Sequence, residues 1–185
     1  MNTIVKETQT SRDFEQLRTR GAVGRRAESL ADRIEEGAAG LAAFAEGLSE
    51  AEWRAPVPES GKDRRSVGVI VHHVAYVYPI EIDLARTVAS GKVVADVTWE
   101  VVAELNAKHA HEQAGVTKAA ALELLRRNSR EAAGAVRAFT DDELDRAAPF
   151  SLNYGAPVTA QFVIEDHALR HSWHHLARIR TALGR

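Results

Sequence analysis

Apolar residues recur at three- and four-residue spacing along most of this chain, while the period-two alternation of a half-buried strand is hard to find. The pattern predicts four main helices. The first spans about Gly24 to Leu48, with Leu30, Ile34, Leu41, Phe44 and Leu48 at helical spacing. The run Ala55-Pro56-Val57-Pro58-Glu59-Ser60-Gly61 ends it and makes a loop. The second helix starts at Ser66, an N-cap residue, and runs towards Ser90-Gly91. Pro79 lies inside it, removes the hydrogen bond to the Ala75 carbonyl and predicts a kink. Trp99 to His111 reads as a short helix and Thr117 to Phe139 as the third main one, with a further turn started by Thr140-Asp141-Asp142-Glu143. After a loop from Pro149 to Pro157, containing Asn153-Tyr154-Gly155, the last helix begins near Val158 and runs almost to the C-terminus.

Four long helices bury their apolar faces only against each other, so the expected class is all-α, a four-helix bundle with short accessory helices. The bundle domain is assigned to residues 24–185, preceded by a polar lead over residues 1–23 with a short helix over Ser11–Thr19. Composition narrows the chemistry. With a formal net charge of -2 and arginines scattered among acids, the chain lacks the basic stripe of a nucleic-acid binder. No stretch reaches the roughly 18–20 consecutive apolar residues of a membrane span, and Met1 to Thr10 is polar, so no membrane partner and a cytoplasmic location are expected. The absence of cysteine excludes disulfides, a thiolate zinc site and a catalytic protein thiol. A metal would sit on imidazole and carboxylate ligands, and any thiol chemistry would need a thiol from outside.

The histidines group as His72 and His73, His109 and His111, and His167, His171, His174 and His175. Residues four apart share a helix face, so His171 and His175 can grip one ion from adjacent turns, and His167 extends that row. A third ligand must come from elsewhere. His73 is the best candidate, because its row of Val69, Val77, Ile80 and Leu84 is otherwise apolar and a lone imidazole there needs a partner. His174 is expected to face away, and His109 and His111, near a helix end, to face solvent. One feature opposes this arrangement: the strongest apolar stripe of the last helix is Phe162, Leu169, Trp173 and Leu176, which leaves His171 and His175 on a smaller arc with Ile164, Ala168, Ile179 and Ala182.

The segments Ser66-Val67-Gly68-Val69-Ile70-Val71-His72-His73-Val74-Ala75 and His171-Ser172-Trp173-His174-His175-Leu176-Ala177-Arg178-Ile179 resemble the DinB-like superfamily of four-helix bundle proteins, over about residues 24–183. The resemblance implies that His73, His171 and His175 form a metal triad, usually on zinc or nickel. It further implies a thiol-dependent S-transferase, an isomerase or a hydrolase, working with a low-molecular-weight thiol such as mycothiol, bacillithiol or glutathione.

Metal-bound histidines usually donate their second ring N–H to a carboxylate or carbonyl. Glu165, Asp166 and Glu81 are the candidates for that role, though each is more ordinarily a surface charge. Tyr76, Tyr78 and Tyr154 are candidates for a substrate mouth, and Arg170 and Arg178 for attracting an acidic thiol or a small-molecule substrate. Two other readings stay open: a non-enzymatic bundle with a structural or sensing metal, closed by a fourth ligand such as Glu165, and a bundle whose histidines only pack and hydrogen-bond. A homodimer is compatible with either.

Overall fold

The computed structural model describes residues 24–58 and 65–185; the polar lead, the helix expected over Ser11–Thr19 and the tip of the first loop lie outside the described residues. The long helices form where the pattern places them. Helix α1 is Arg25–Glu46, followed by the single turn α2, Glu50–Arg54, which opens with a reciprocal capping box between Ser49 and Glu52. Strands β1, Pro56–Val57, and β2, Arg65–Ser66, pair antiparallel and deliver the chain to α3, Val67–Ala89. The Ser66 hydroxyl accepts from Val69 N and caps that helix. Helices α4, Trp99–Glu112, and α5, Lys118–Arg137, follow, capped by Thr98 and Thr117. The turn α6, Asp141–Asp145, opens with the Thr140–Glu143 capping box.

Strands β3, Ala147–Pro149, and β4, Pro157–Thr159, then pair antiparallel around a 3-10 turn over Ser151–Asn153. The short strands were not expected, since two or three residues are too few to display alternation. The chain ends in one continuous helical rod built from α7, Ala160–Val163, a π-helical segment, Ile164–Leu169, and α8, Arg170–Leu183.

Helix α5 packs between α1 and α3, and the α7–α8 rod closes the ring against α1 and α3. Among the described residues, α1 and α3 therefore face each other across the core, as do α5 and the rod. Tyr78, Ile34, Leu41, Ile70, Leu125 and Ile164 are fully buried at the centre. By length and composition α3 could cross a membrane, yet most of it is buried inside this bundle. Trp53 fixes its start: the indole sits where a Cβ on Gly68 would lie 2.6 Å away, and its Nε1 donates to the Val116 carbonyl at 3.0 Å.

No break occurs at Pro79; the helix is assigned without interruption from Val67 to Ala89. The carbonyl that proline deprives of a backbone donor is supplied from another helix. Asn128 of α5, itself buried, donates its side-chain amide to the Ala75 carbonyl at 2.9 Å. A buried carbonyl left without a donor costs roughly 1–3 kcal/mol. Asn128→Leu, similar in volume but without a donor, is therefore expected to lower unfolding stability by about 2 kcal/mol in urea denaturation; an unchanged midpoint would show that the bond carries no weight.

Candidate metal centre

The α7–α8 rod owes its ligand face to the π segment. Its buried residues Ala160, Ile164, Ala168, Ser172 and Leu176 follow one another at four-residue steps. An ideal α-helix drifts by about 40° over each such step, so the row would wind off the core. The wider turn over Ile164–Leu169 absorbs the excess and keeps the row facing inward. This removes the conflict seen in the sequence: Leu169 and Leu176 are buried, while Phe162 and Trp173 of the supposed dominant stripe are 41% and 43% exposed. His171 and His175 are thereby turned towards α3.

There they meet His73. One ring nitrogen from each of His73, His171 and His175 lies within 4.8 Å of the other two. His73 and His175 are buried and His171 partly so. His171 Nδ1 lies 2.5 Å from Glu81 Oε1, and its Nε2 lies 3.2 Å from His73 Nε2. The carboxylate of Glu81, one of three proposed partners, thus accepts the Nδ1 proton of His171 and leaves Nε2 with a lone pair. Two nitrogens held by one tetrahedral ion at roughly 2.0–2.1 Å would stand about 3.3 Å apart, close to this spacing. His73 Nδ1, His175 Nδ1 and Glu81 Oε2 are buried without hydrogen-bond partners among the described residues. Neutral nitrogen donors suit a borderline-soft divalent cation, so the residues present fit such an ion.

Burial pushes His73 down to about 2, helped by the nearby charge of Arg65, and drives His175 far below the ordinary imidazole range for the same reason. Both rings are neutral at physiological pH, the state in which they donate a lone pair.

The cluster forms part of the lining of a cavity of about 400 Å³. One wall is apolar, with Val77, Ile80 and Leu84 from α3 facing Trp99, Val102 and Leu105 from α4. The row through His73 therefore looks into this cavity, where Ile80 stays 40% exposed, and not into the bundle core as its apolar character implied. Tyr76, Asp166, Arg170 and Arg178 also line it. Arg170 Nε bonds the Asp166 carbonyl at 2.8 Å and lies 3.1 Å from its carboxylate, so Asp166 pairs with arginine rather than with a histidine of the cluster.

Other expectations fail. Glu165 accepts from Gln161 and borders a separate recess with Arg33 and Trp173, because the π segment turns it towards α1. Tyr154 is 93% exposed at a left-handed φ of 58° on the β3–β4 turn, well outside the cavity lining. Tyr78 is a core residue hydrogen-bonded to Ser172 at 2.7 Å, and burial raises its pKa. His174 is exposed but at the cavity edge, with its ring 5.2 Å from that of His175. His109 is buried in the lining, not solvated. Its position seven residues beyond Val102, on the face of Leu105, carried that signal.

A four-helix bundle with three histidines gathered on two adjacent helices beside a cavity is the class that fold and site define. The family model of the DinB superfamily matches residues 33–179, and the chain belongs to that superfamily. Among solved structures it is similar to YfiT from Bacillus subtilis, described as a probable metal-dependent hydrolase with an unusual four-helix bundle topology. That match has a TM-score of 0.66 and 19% identity, over 84% of this chain and 85% of that one. A mycothiol-dependent maleylpyruvate isomerase matches with a TM-score of 0.62 and 15% identity, over 83% of this chain and 60% of the isomerase. The colibactin self-resistance protein ClbS, solved in complex with a double-stranded DNA, matches with a TM-score of 0.66 and 15% identity, over 86% and 96%. At these identities the likeness extends to the fold alone. Comparison with curated proteins gives no significant match in sequence.

The two depressed imidazoles set a pH dependence. Their pKa values lie below the unfolded value of about 6.5, so the unfolded chain binds more protons and stability is lost as pH falls below that value. Metal-free protein is expected to lose at least about 2 kcal/mol between pH 7 and pH 5. Urea unfolding followed by circular dichroism measures this, and a flat profile would mean that these rings are not buried neutral.

Proposed function

We propose that this protein is a metal-dependent enzyme in which His73, His171 and His175 hold one divalent ion, zinc or nickel, and a small electrophilic substrate occupies the adjoining cavity. The reading is carried by one observation: three convergent imidazoles beside a cavity of about 400 Å³. Three histidines leave a coordination position free, and an ion so held favours the thiolate of an entering thiol or the hydroxide form of a water. Because the chain has no cysteine, the thiol would be external, of the mycothiol, bacillithiol or glutathione type. Glu81 orients His171 and holds its Nδ1 proton. The apolar wall gives the body of a substrate an apolar surface to lie against.

A closed structural site would need a fourth protein ligand. Glu165, the residue considered for it, is engaged by Gln161, and no further carboxylate joins the three histidines among the described residues. That favours an open, reactive site.

Elemental analysis of untagged protein is expected to give close to one zinc or nickel per chain, and none in the His73→Ala, His171→Ala, His175→Ala triple variant with helicity intact. Failure of the parent to take up zinc, nickel or manganese would overturn the proposal. Glu81→Gln, which keeps the shape but loses the charge, is expected to weaken metal affinity roughly 10–100-fold, read by competition with a chromogenic chelator.

A further inference from the structure

His109 is out of keeping with its helix. Among the residues of α4 it alone is buried, while Trp99 and Leu105 are about half exposed and α4 meets the bundle chiefly along α3. Its ring fills an aromatic slot, stacked on His72 at 5.0 Å, edge-on to His73 at 5.5 Å and 5.1 Å from Tyr76. Its Nε2 lies 2.8 Å from His72 Nδ1, so one of these nitrogens donates and the other accepts. Its Nδ1 is buried with no partner among the described residues, and the residue lines the cavity beside the apolar wall. A buried polar atom left unpaired is costly and calls for a reason. A bound molecule would supply one.

We infer that His109 is a substrate-positioning residue carried on a covering helix, and that the substrate is a mainly apolar molecule with one hydrogen-bonding head. The head sits between the three-histidine cluster and His109 Nδ1, and the body lies against Ile80, Leu84, Trp99 and Val102. Whichever tautomer the His72 bond selects, His109 Nδ1 offers one donor or one acceptor to that head. The inference rests on the cavity being the substrate site proposed above.

The test uses wild-type protein, His109→Ala and His109→Gln, each loaded with zinc, assayed for zinc per chain and titrated calorimetrically with octanohydroxamate and acetohydroxamate. These probes share a head and differ in the apolar body. Equal zinc in all three proteins is expected, with the octyl probe bound at least tenfold more tightly than the acetyl one. His109→Ala should lose about tenfold for both probes, and His109→Gln should recover most of the loss. Unchanged binding in His109→Ala at equal zinc overturns the role of His109, and equal binding of the two probes overturns the apolar body. If the wild type takes up no zinc, the metal reading fails separately. Octanamide is then titrated into metal-free protein, with the emission of Trp99 as signal and Trp99→Phe as blank. The same ranking of variants sustains the inference, and its absence overturns it.

Discussion

The approach of His73 and His171, with Nε2 atoms 3.2 Å apart on two different helices, is the constraint around which this bundle is arranged. Neutral imidazoles with facing nitrogens gain little from each other unless a proton or a cation lies between them. They meet at the cavity wall because α3 and the α7–α8 rod are held in register by other means. The Tyr78–Ser172 hydrogen bond ties the same two helices within one residue of His171, and the fully buried Ile70 and Ile164 stand in the shared core. Glu81 completes the arrangement from α3, so that each helix contributes polar groups to the other's histidines.

The polar groups of the interior are distributed economically. Asn128 serves a carbonyl that Pro79 has freed, and Glu81 serves His171. The buried atoms left without partners among the described residues include His73 Nδ1, His109 Nδ1, His175 Nδ1 and Glu81 Oε2, and all four of these residues line one cavity. Incomplete satisfaction concentrated in one place is what a binding site requires, because a ligand gains most where the protein cannot satisfy itself.

Much of this was legible in the sequence, for local reasons. Ser66, Thr117 and Thr140 announce helix starts by side-chain chemistry that does not depend on the rest of the molecule. The four-residue spacing of His171 and His175 and the isolation of His73 in an apolar row were enough to bring the three together. What stayed hidden depends on tertiary structure. The π segment is invisible to a helical wheel drawn at 100° per residue, so the wheel sets the strongest apolar stripe against the histidine face and leaves Glu165 among the candidate partners. A covering helix with one deep contact looks like a surface helix in sequence, so only the spacing of His109 from Val102 and Leu105 marks it. The donor for the Ala75 carbonyl comes from a residue 53 positions away, which no local pattern reveals.

The placement of consecutive long helices across the core has a kinetic consequence. Neither α1 with α3 nor α5 with the rod forms a neighbouring pair, and the one adjacent pair of consecutive long helices, α3 with α5, is joined through the whole of α4 rather than by a tight turn. Contacts between α1 and α5, and between α1 and the rod, close loops of many tens of residues before any apolar surface is gained. Such a bundle has a higher contact order than a simple up-and-down bundle and folds more slowly. Two of its three histidines lie on the last helix, so the site does not exist until that helix docks against α3.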